Sequence, residues 1–75
     1  MSLRLWYKPG EWDGTFAVAA RALVADLLLD GDVPVLINNE VRLRTLTGYD
    51  PAGDRLIFEG NETVPLTEVS EIEVP

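Results

Sequence analysis

The sequence predicts an α+β fold in which one N-terminal helix packs on a small, strongly bent antiparallel barrel of five strands. Two observations carry this prediction. An almost wholly apolar stretch lies between residues 15 and 29, and short alternating stretches joined by tight turns follow from residue 33 onward. That order is typical of small barrels with one covering helix. We assign residues 1–75 to a single domain, because a chain of this length builds one core.

The helix is predicted over Thr15–Leu29. Asp13 and Thr15 are suitable N-caps, and Gly31 stands where a C-cap glycine belongs. One face of this helix is wholly apolar and is expected to cover the sheet; it consists of Phe16, Ala19, Ala20, Leu23, Val24 and Leu27.

The opposite face of the same helix is also apolar. It carries Val18, Ala22, Ala25 and Leu29, and this spacing is that of a second helix-packing seam. Because so short a chain has little left to cover it, we predict that this face is an interface, most simply with a second copy. The alternative is that exposed alanines are ordinary, since alanine is the best helix former.

The most specific local signal is a hairpin within Val41–Gly60. Residues 41–47 alternate as a strand, and Arg55–Glu59 pairs back after the turn Asp50-Pro51-Ala52-Gly53. In that turn the aspartate accepts local backbone hydrogen bonds, and glycine is expected to supply positive φ. The other predicted elements are strands Val33–Ile37, Thr63–Leu66 and Glu71–Val74, a single helical turn over residues 67–70, and Leu3–Tyr7 as either a short strand or a frayed arm.

The run VPVLINNEVRLRTLTGYDPAGDRLIFEGNETVPLTEVSEIEVP, residues Val33–Pro75, resembles the pattern of Sm-like proteins. The likeness lies in a glycine within the second strand, an apolar strand after it, a short strand, a one-turn helix and a closing strand. The spacing is most similar to small acidic bacterial inhibitors of the Rho termination factor, which also place a helix first. The resemblance implies an Sm-like, SH3-like barrel. It supplies no residue roles, because neither inhibitor-specific residues nor the RNA-gripping motifs are recognisable here.

Composition restricts the function. Thirteen acidic against six basic residues give a net charge of −7, which opposes binding to nucleic acid and favours a basic partner surface. The chain has no cysteine and no histidine, so thiolate metal sites and the commonest general base are missing. We therefore expect no enzyme activity, no cofactor and no metal. The sequence shows neither a signal peptide nor a membrane span, and we expect a cytoplasmic protein.

Two charged groups are candidate binding residues. The acidic group is Glu62, Glu68, Glu71 and Glu73, which could face a basic partner along one sheet edge or could keep an exposed edge from pairing. The basic group is Arg42, Arg44 and Arg55, which could grip a phosphate or carboxylate, or could pair with Glu40, Glu59 or Glu71.

Two further groups are interpreted as structural. Asp26, Asp30 and Asp32 lack the spacing of a calcium loop and are read as a solvated turn at the helix end. The aromatic side chains of Trp6, Tyr7, Trp12 and Tyr49 could lie at an interface, but core use is expected of them.

The sequence thus favours a small acidic interaction or regulatory module that is homo-oligomeric through its helix and binds a basic protein surface. One alternative is an Sm-like nucleic-acid-binding protein that uses the three arginines. Another is an accessory subunit of a larger assembly, in which the apolar helix docks into a partner.

Overall fold

The structure, a computed structural model, describes residues 3–7 and 14–75. Within them it contains one α-helix, six strands and one short 3-10 helix. In chain order these are β1 (Leu3–Trp6), α1 (Thr15–Leu28), β2 (Val33–Ile37), β3 (Arg44–Asp50), β4 (Arg55–Phe58), β5 (Glu62–Pro65), the 3-10 turn (Leu66–Glu68) and β6 (Glu71–Val74).

The strands form one antiparallel sheet in the order β1-β6-β2-β3-β4-β5. The α+β class is therefore confirmed, but the prediction of a five-stranded barrel is wrong. The sheet has a sixth strand because Leu3–Trp6 is not a frayed arm; it pairs with β6 in a register that sets Leu5 opposite Ile72. The sheet is also not closed, since β1 and β5 are its outer strands in the part of the chain that the structure describes.

The outer edge of β5 is a poor template for another strand. The N–H of Leu66 donates to the carbonyl of Asp54 at 2.9 Å, so alternate residues from Leu66 back to Glu62 direct their backbone groups toward β4. Thr63 and Pro65 consequently direct theirs outward. Because proline has no N–H, this edge offers few donors to a neighbouring chain.

Helix α1 begins at Thr15, one residue earlier than an N-cap at Thr15 would require. Gly14, with φ 85°, occupies the cap position without a side-chain hydrogen bond. The other predicted cap, Asp13, lies outside the described residues. The prediction for the end of the helix holds: Gly31 has φ 102°, and its N–H donates to the carbonyl of Leu28 at 3.2 Å.

The buried face of the helix is turned slightly from the predicted one. Ala17 is buried, whereas Ala19, which we expected inside, is exposed. The helix packs on the sheet through Phe16, Ala20 and Val24, which are spaced four residues apart. Ala17, and not Ala19, is the buried residue beside this row. The fully buried helix residues are Phe16, Ala17, Ala20 and Val24.

The core lies between this helix face and one side of the sheet. Tyr7 extends it beyond β1, because its ring meets the ring of Phe16 edge-on at a centroid distance of 4.7 Å. The buried sheet and loop residues are Val35, Ile37, Leu46, Leu56, Phe58, Leu66, Val69 and Ile72.

The β3–β4 hairpin forms where predicted, with differences in detail. Strand β3 begins at Arg44, so Val41 and Leu43 precede it and are exposed. In the turn, Asp50 Oδ1 accepts the Ala52 N–H at 3.0 Å, as expected. Positive φ falls on Asp54 (53°) instead of Gly53. A Cβ at position 53 would lie 3.0 Å from Asp50 Oδ2, at the end of a flexible side chain. Gly53 is therefore not required here for a positive φ.

Candidate functional site

The outward face of helix α1 is the most distinctive surface of the described residues. Val18 is 64% exposed and Leu29 is 81% exposed, and Ala22 and Ala25 between them are exposed as well. Successive helix residues are about 100° apart, so this row lies almost opposite the buried row through Ala20. A row of apolar side chains left open to water is typical of a surface that a partner covers.

One edge of this face is fixed to the sheet by Arg21. Its Nε and Nη2 donate to the two carboxylate oxygens of Asp54 at 3.0 and 2.8 Å, and the hydroxyl of Tyr49 donates to Asp54 Oδ1. The Arg21 hydrogen bond, with help from Tyr49, lowers the pKa of Asp54 to about 2. The hydrogen bond to Asp54 raises the pKa of Tyr49 and that of Arg21. The cluster is an anchor, because both carboxylate oxygens of Asp54 accept charge-assisted hydrogen bonds from the helix.

The arginines Arg42 and Arg44 lie beside each other but are held by carboxylates. Arg42 Nη2 is 3.1 Å from Glu62 Oε1, and Arg44 contacts Glu40 at 3.3 Å and Glu62 at 3.5 Å. The Arg44 guanidinium also lies over the ring of Phe58, 5.4 Å from its centroid. Arg44 Nε is buried and has no hydrogen-bond partner among the residues that the structure describes.

A pocket of about 250 Å³ opens beside these side chains. Its wall includes Glu59 and Glu62 as well as the two arginines, so the charges nearly cancel and a free anion gains little there. Arg55 does not join the group. It lies at the opposite end of β4, next to the turn, and has no ion pair among the described residues.

The four glutamates of the acidic group do not share a sheet edge. Glu62 lies on the outer strand β5 and pairs with the arginines, and Glu68 is exposed on the 3-10 turn. Glu71 and Glu73 lie on β6, which is flanked by β1 and β2. Glu73 is partly buried and directly opposite Arg4 in the register.

Glu71, which the sequence places outward, is only 8% exposed. Its two oxygens accept hydrogen bonds from Arg4 Nε and Nη2 at 2.9 and 3.0 Å, and that guanidinium also lies 5.3 Å from the ring centre of Trp6. This hydrogen bond raises the pKa of Arg4. The pair was not predicted from the sequence, because it depends on β1 lying beside β6 and the two residues are 67 positions apart.

Asn38 is a second residue whose full role the sequence reading missed. Its Oδ1 accepts the Ser70 N–H at 2.7 Å, and its Nδ2 donates to the carbonyl of Glu68 at 2.9 Å. Its backbone has a φ of 54°, which asparagine tolerates. The side-chain bonds join the end of β2 to the start of β6, so Asn38 has a structural role.

The described residues contain neither a metal-binding cluster nor a membrane-spanning helix. In residues 3–7 and 14–75, no group of three or more His, Cys, Asp or Glu is arranged to hold a metal ion. That includes Asp26, Asp30 and Asp32, which are all exposed. No helix in the same residues is long and apolar enough to cross a membrane.

The described residues thus define a small α+β domain with an apolar helix face open to water. Comparison with protein-family models, with curated proteins and with solved structures finds no match to this chain.

Proposed function

We propose that the protein is a small acidic interaction or regulatory module that self-associates through the outward face of helix α1. The observation that carries the proposal is the exposure of Val18, Ala22, Ala25 and Leu29 in one continuous row. Fully burying a valine or leucine side chain stabilises an assembly by roughly 1.5–3 kcal/mol. The two small alanines between them permit close approach of a second helix.

The association is expected to be modest in strength. The seam is one short helix face, and association costs at least several kcal/mol of lost motional freedom. The association should therefore depend on protein concentration, which suits a module that exchanges partners.

A basic protein surface is the second partner in this proposal. The net charge of −7 supports it, since long-range attraction speeds encounter with a basic surface. Glu68 and Glu73 are the acidic-group residues that remain outside the ion pairs described above, and each would contribute its charge to such a contact. Glu62 and Glu71 already have arginine partners, so they contribute to this surface less than the sequence suggests.

The Sm-like relationship stays a proposal. The order of helix and strands and the 3-10 turn before the last strand support it. The alternative function, binding of nucleic acid through Arg42, Arg44 and Arg55, has less support. Two of these side chains are held by carboxylates, and the third lies apart from them. A role as an accessory subunit is the remaining alternative, in which a foreign chain covers the helix.

The proposal is tested by placing charge in the seam. Ala22→Glu combined with Ala25→Glu should give a folded monomer, because two carboxylates per chain would have to be buried in the interface. Light scattering on a sizing column gives the mass, and circular dichroism confirms the fold. The matched control is Ala19→Glu combined with Ala52→Glu, which adds the same charge at exposed positions off the seam. An unchanged oligomer in the seam variant would overturn the proposal.

A further inference from the structure

We infer that the second copy packs against helix α1 in the parallel orientation, with Arg21 facing Asp26 of the partner subunit. This inference rests on the proposed self-association and adds the direction of the partner helix. Its basis is the placement of opposite charges on the two sides of the seam.

The seam has a regular pattern with charged flanks. Its residues are spaced four, three and four positions apart, which is the alternation of the two core positions of a helix pair. Arg21 precedes Ala22, and Asp26 follows Ala25. At about 100° per residue these two lie on opposite sides of the seam, each roughly 70° from its centre.

This arrangement distinguishes the two possible directions. In a parallel pair, each flank faces the opposite flank of the partner, five positions further along, and Arg21 and Asp26 are five positions apart. Two symmetric ion pairs then enclose the seam. In an antiparallel pair, each flank faces the same flank of the partner. Arg21 then lies on the same side of the interface as the partner's Arg21, and Asp26 on the same side as the partner's Asp26. The charges therefore favour the parallel direction.

Both groups are available for the contact. Asp26 is exposed and takes part in no ion pair with the residues that the structure describes. The Arg21 side chain is 45% exposed, and its bonds to Asp54 use only Nε and Nη2. Neither of those bonds uses Nη1, so this nitrogen can donate to a second carboxylate. Because Asp54 restricts the Arg21 side chain, the entropy cost of that contact is lower.

Disulfide trapping tests the direction. The chain has no cysteine, so Val18→Cys and Leu29→Cys each introduce one thiol. In the parallel pair each variant should form a disulfide with its own copy under mild oxidation. In the antiparallel pair position 18 lies beside position 29, so only a mixture of the two variants should link. Two copies of position 18 would then be about 16 Å apart along the helix, well beyond disulfide reach. Thr63→Cys, exposed on β5, measures random collision.

Each outcome decides the question. Rapid linkage of Val18→Cys alone, above the Thr63→Cys rate, supports the parallel pair. Linkage only in the mixture overturns it, as does a dimeric mass with no linkage at all. A monomeric mass with no linkage overturns the proposed self-association too, so the two failures are distinguishable.

The ion pair itself is tested by Asp26→Arg, which sets arginine against arginine. The dissociation constant of the dimer should rise roughly 2- to 30-fold, as expected from losing two exposed ion pairs. Asp30→Arg is the matched control, because it makes the same change in net charge beyond the helix end. Because Asp30→Arg makes the chain less negative, two copies repel each other less. The dissociation constant of its dimer should therefore stay unchanged or fall. Equal effects of the two variants would contradict the pair.

Discussion

Asp54 joins three parts of the molecule through one carboxylate. It lies in the β3–β4 turn and accepts hydrogen bonds from Arg21 of the helix and Tyr49 of β3. Its backbone carbonyl also accepts the Leu66 N–H. Hydrogen bonds to the charged form favour that form, which explains why its pKa falls to about 2 from the ordinary 3.8.

This pKa predicts how stability changes in acid. A carboxyl whose pKa is lower in the folded state stabilises the fold above its unfolded pKa, and the contribution disappears as the pH falls from about 4 to about 2. Asp54→Asn removes it and still tolerates the positive φ at this position. The melting temperature of the variant should therefore lie below that of the parent at pH 6, with a gap that narrows toward pH 2.

The control for this experiment is Asp30→Asn, an exposed aspartate without an ion pair among the described residues. Its melting temperature should follow that of the parent across the same range. A gap for Asp54→Asn that stays constant with pH would show that the carboxylate charge does not stabilise the fold.

Asn38 predicts a stability difference between two neighbouring asparagines. Asn38 and Asn39 both have left-handed backbones, with φ of 54° and 58°, and glycine suits both. Asn38 alone bonds through its side chain to the 68–70 segment. Asn38→Gly should therefore lower the free energy of unfolding by about 1–3 kcal/mol more than Asn39→Gly. Urea denaturation measures both, and equal losses would mean that the side-chain bonds contribute nothing.

Single residues could be predicted from the sequence only where their partners are local. The Asp50 turn follows from a side chain that bonds to nearby backbone, and asparagine tolerates the positive φ found at Asn38 and Asn39. The Arg4–Glu71 and Arg21–Asp54 pairs join residues 67 and 33 positions apart. They depend on the final sheet register and on how the helix lies on the sheet, and no local pattern encodes either.

At the scale of elements, hydrophobic periodicity predicts the position of helix α1 but not which face packs on the sheet. The alternation of apolar faces placed α1 correctly to within a residue at its end. It did not decide between Ala17 and Ala19 as the residue against the sheet, because alanine stands at both positions and carries no directional signal. Because the two positions carry the same side chain, packing against the sheet decides how the helix is rotated about its axis.

This rotation is tested by enlarging two alanines. Ala20 is fully buried, so Ala20→Leu overfills the core and should lower the free energy of unfolding by about 1–3 kcal/mol. Ala19 is exposed, so Ala19→Leu should change it by less than about 0.5 kcal/mol. Chemical denaturation of both variants gives the comparison. A large loss at position 19 would restore the face that the sequence predicts.

The strands were predictable as elements but not as an assembly. Turn residues marked the connections from residue 33 onward, and the strands form there with shifted bounds, β3 at Arg44–Asp50 instead of 41–47 and β5 at Glu62–Pro65 instead of Thr63–Leu66. The pairing of Leu3–Trp6 with β6 joins the two ends of the described chain, and alternation in four residues cannot specify such a distant partner. For the same reason the sequence pattern could not show that the sheet stays open.

At the scale of the whole molecule, the surface combines an apolar helix face with a net charge of −7. The sequence predicted that the face carrying Val18, Ala22, Ala25 and Leu29 has no cover within one chain, and in the described residues all four are exposed. Under the proposed function a second molecule covers it, and one chain does not contain that molecule.

The most direct test of self-association is the solution mass of the unmodified chain, measured by light scattering over a range of protein concentrations. One copy has a mass of 8.3 kDa. Self-association through the seam predicts a mass that rises with concentration toward twice that value, because the seam is small and its association modest. A mass that stays at one copy at every concentration would rule out self-association, and would leave the helix face for a foreign partner.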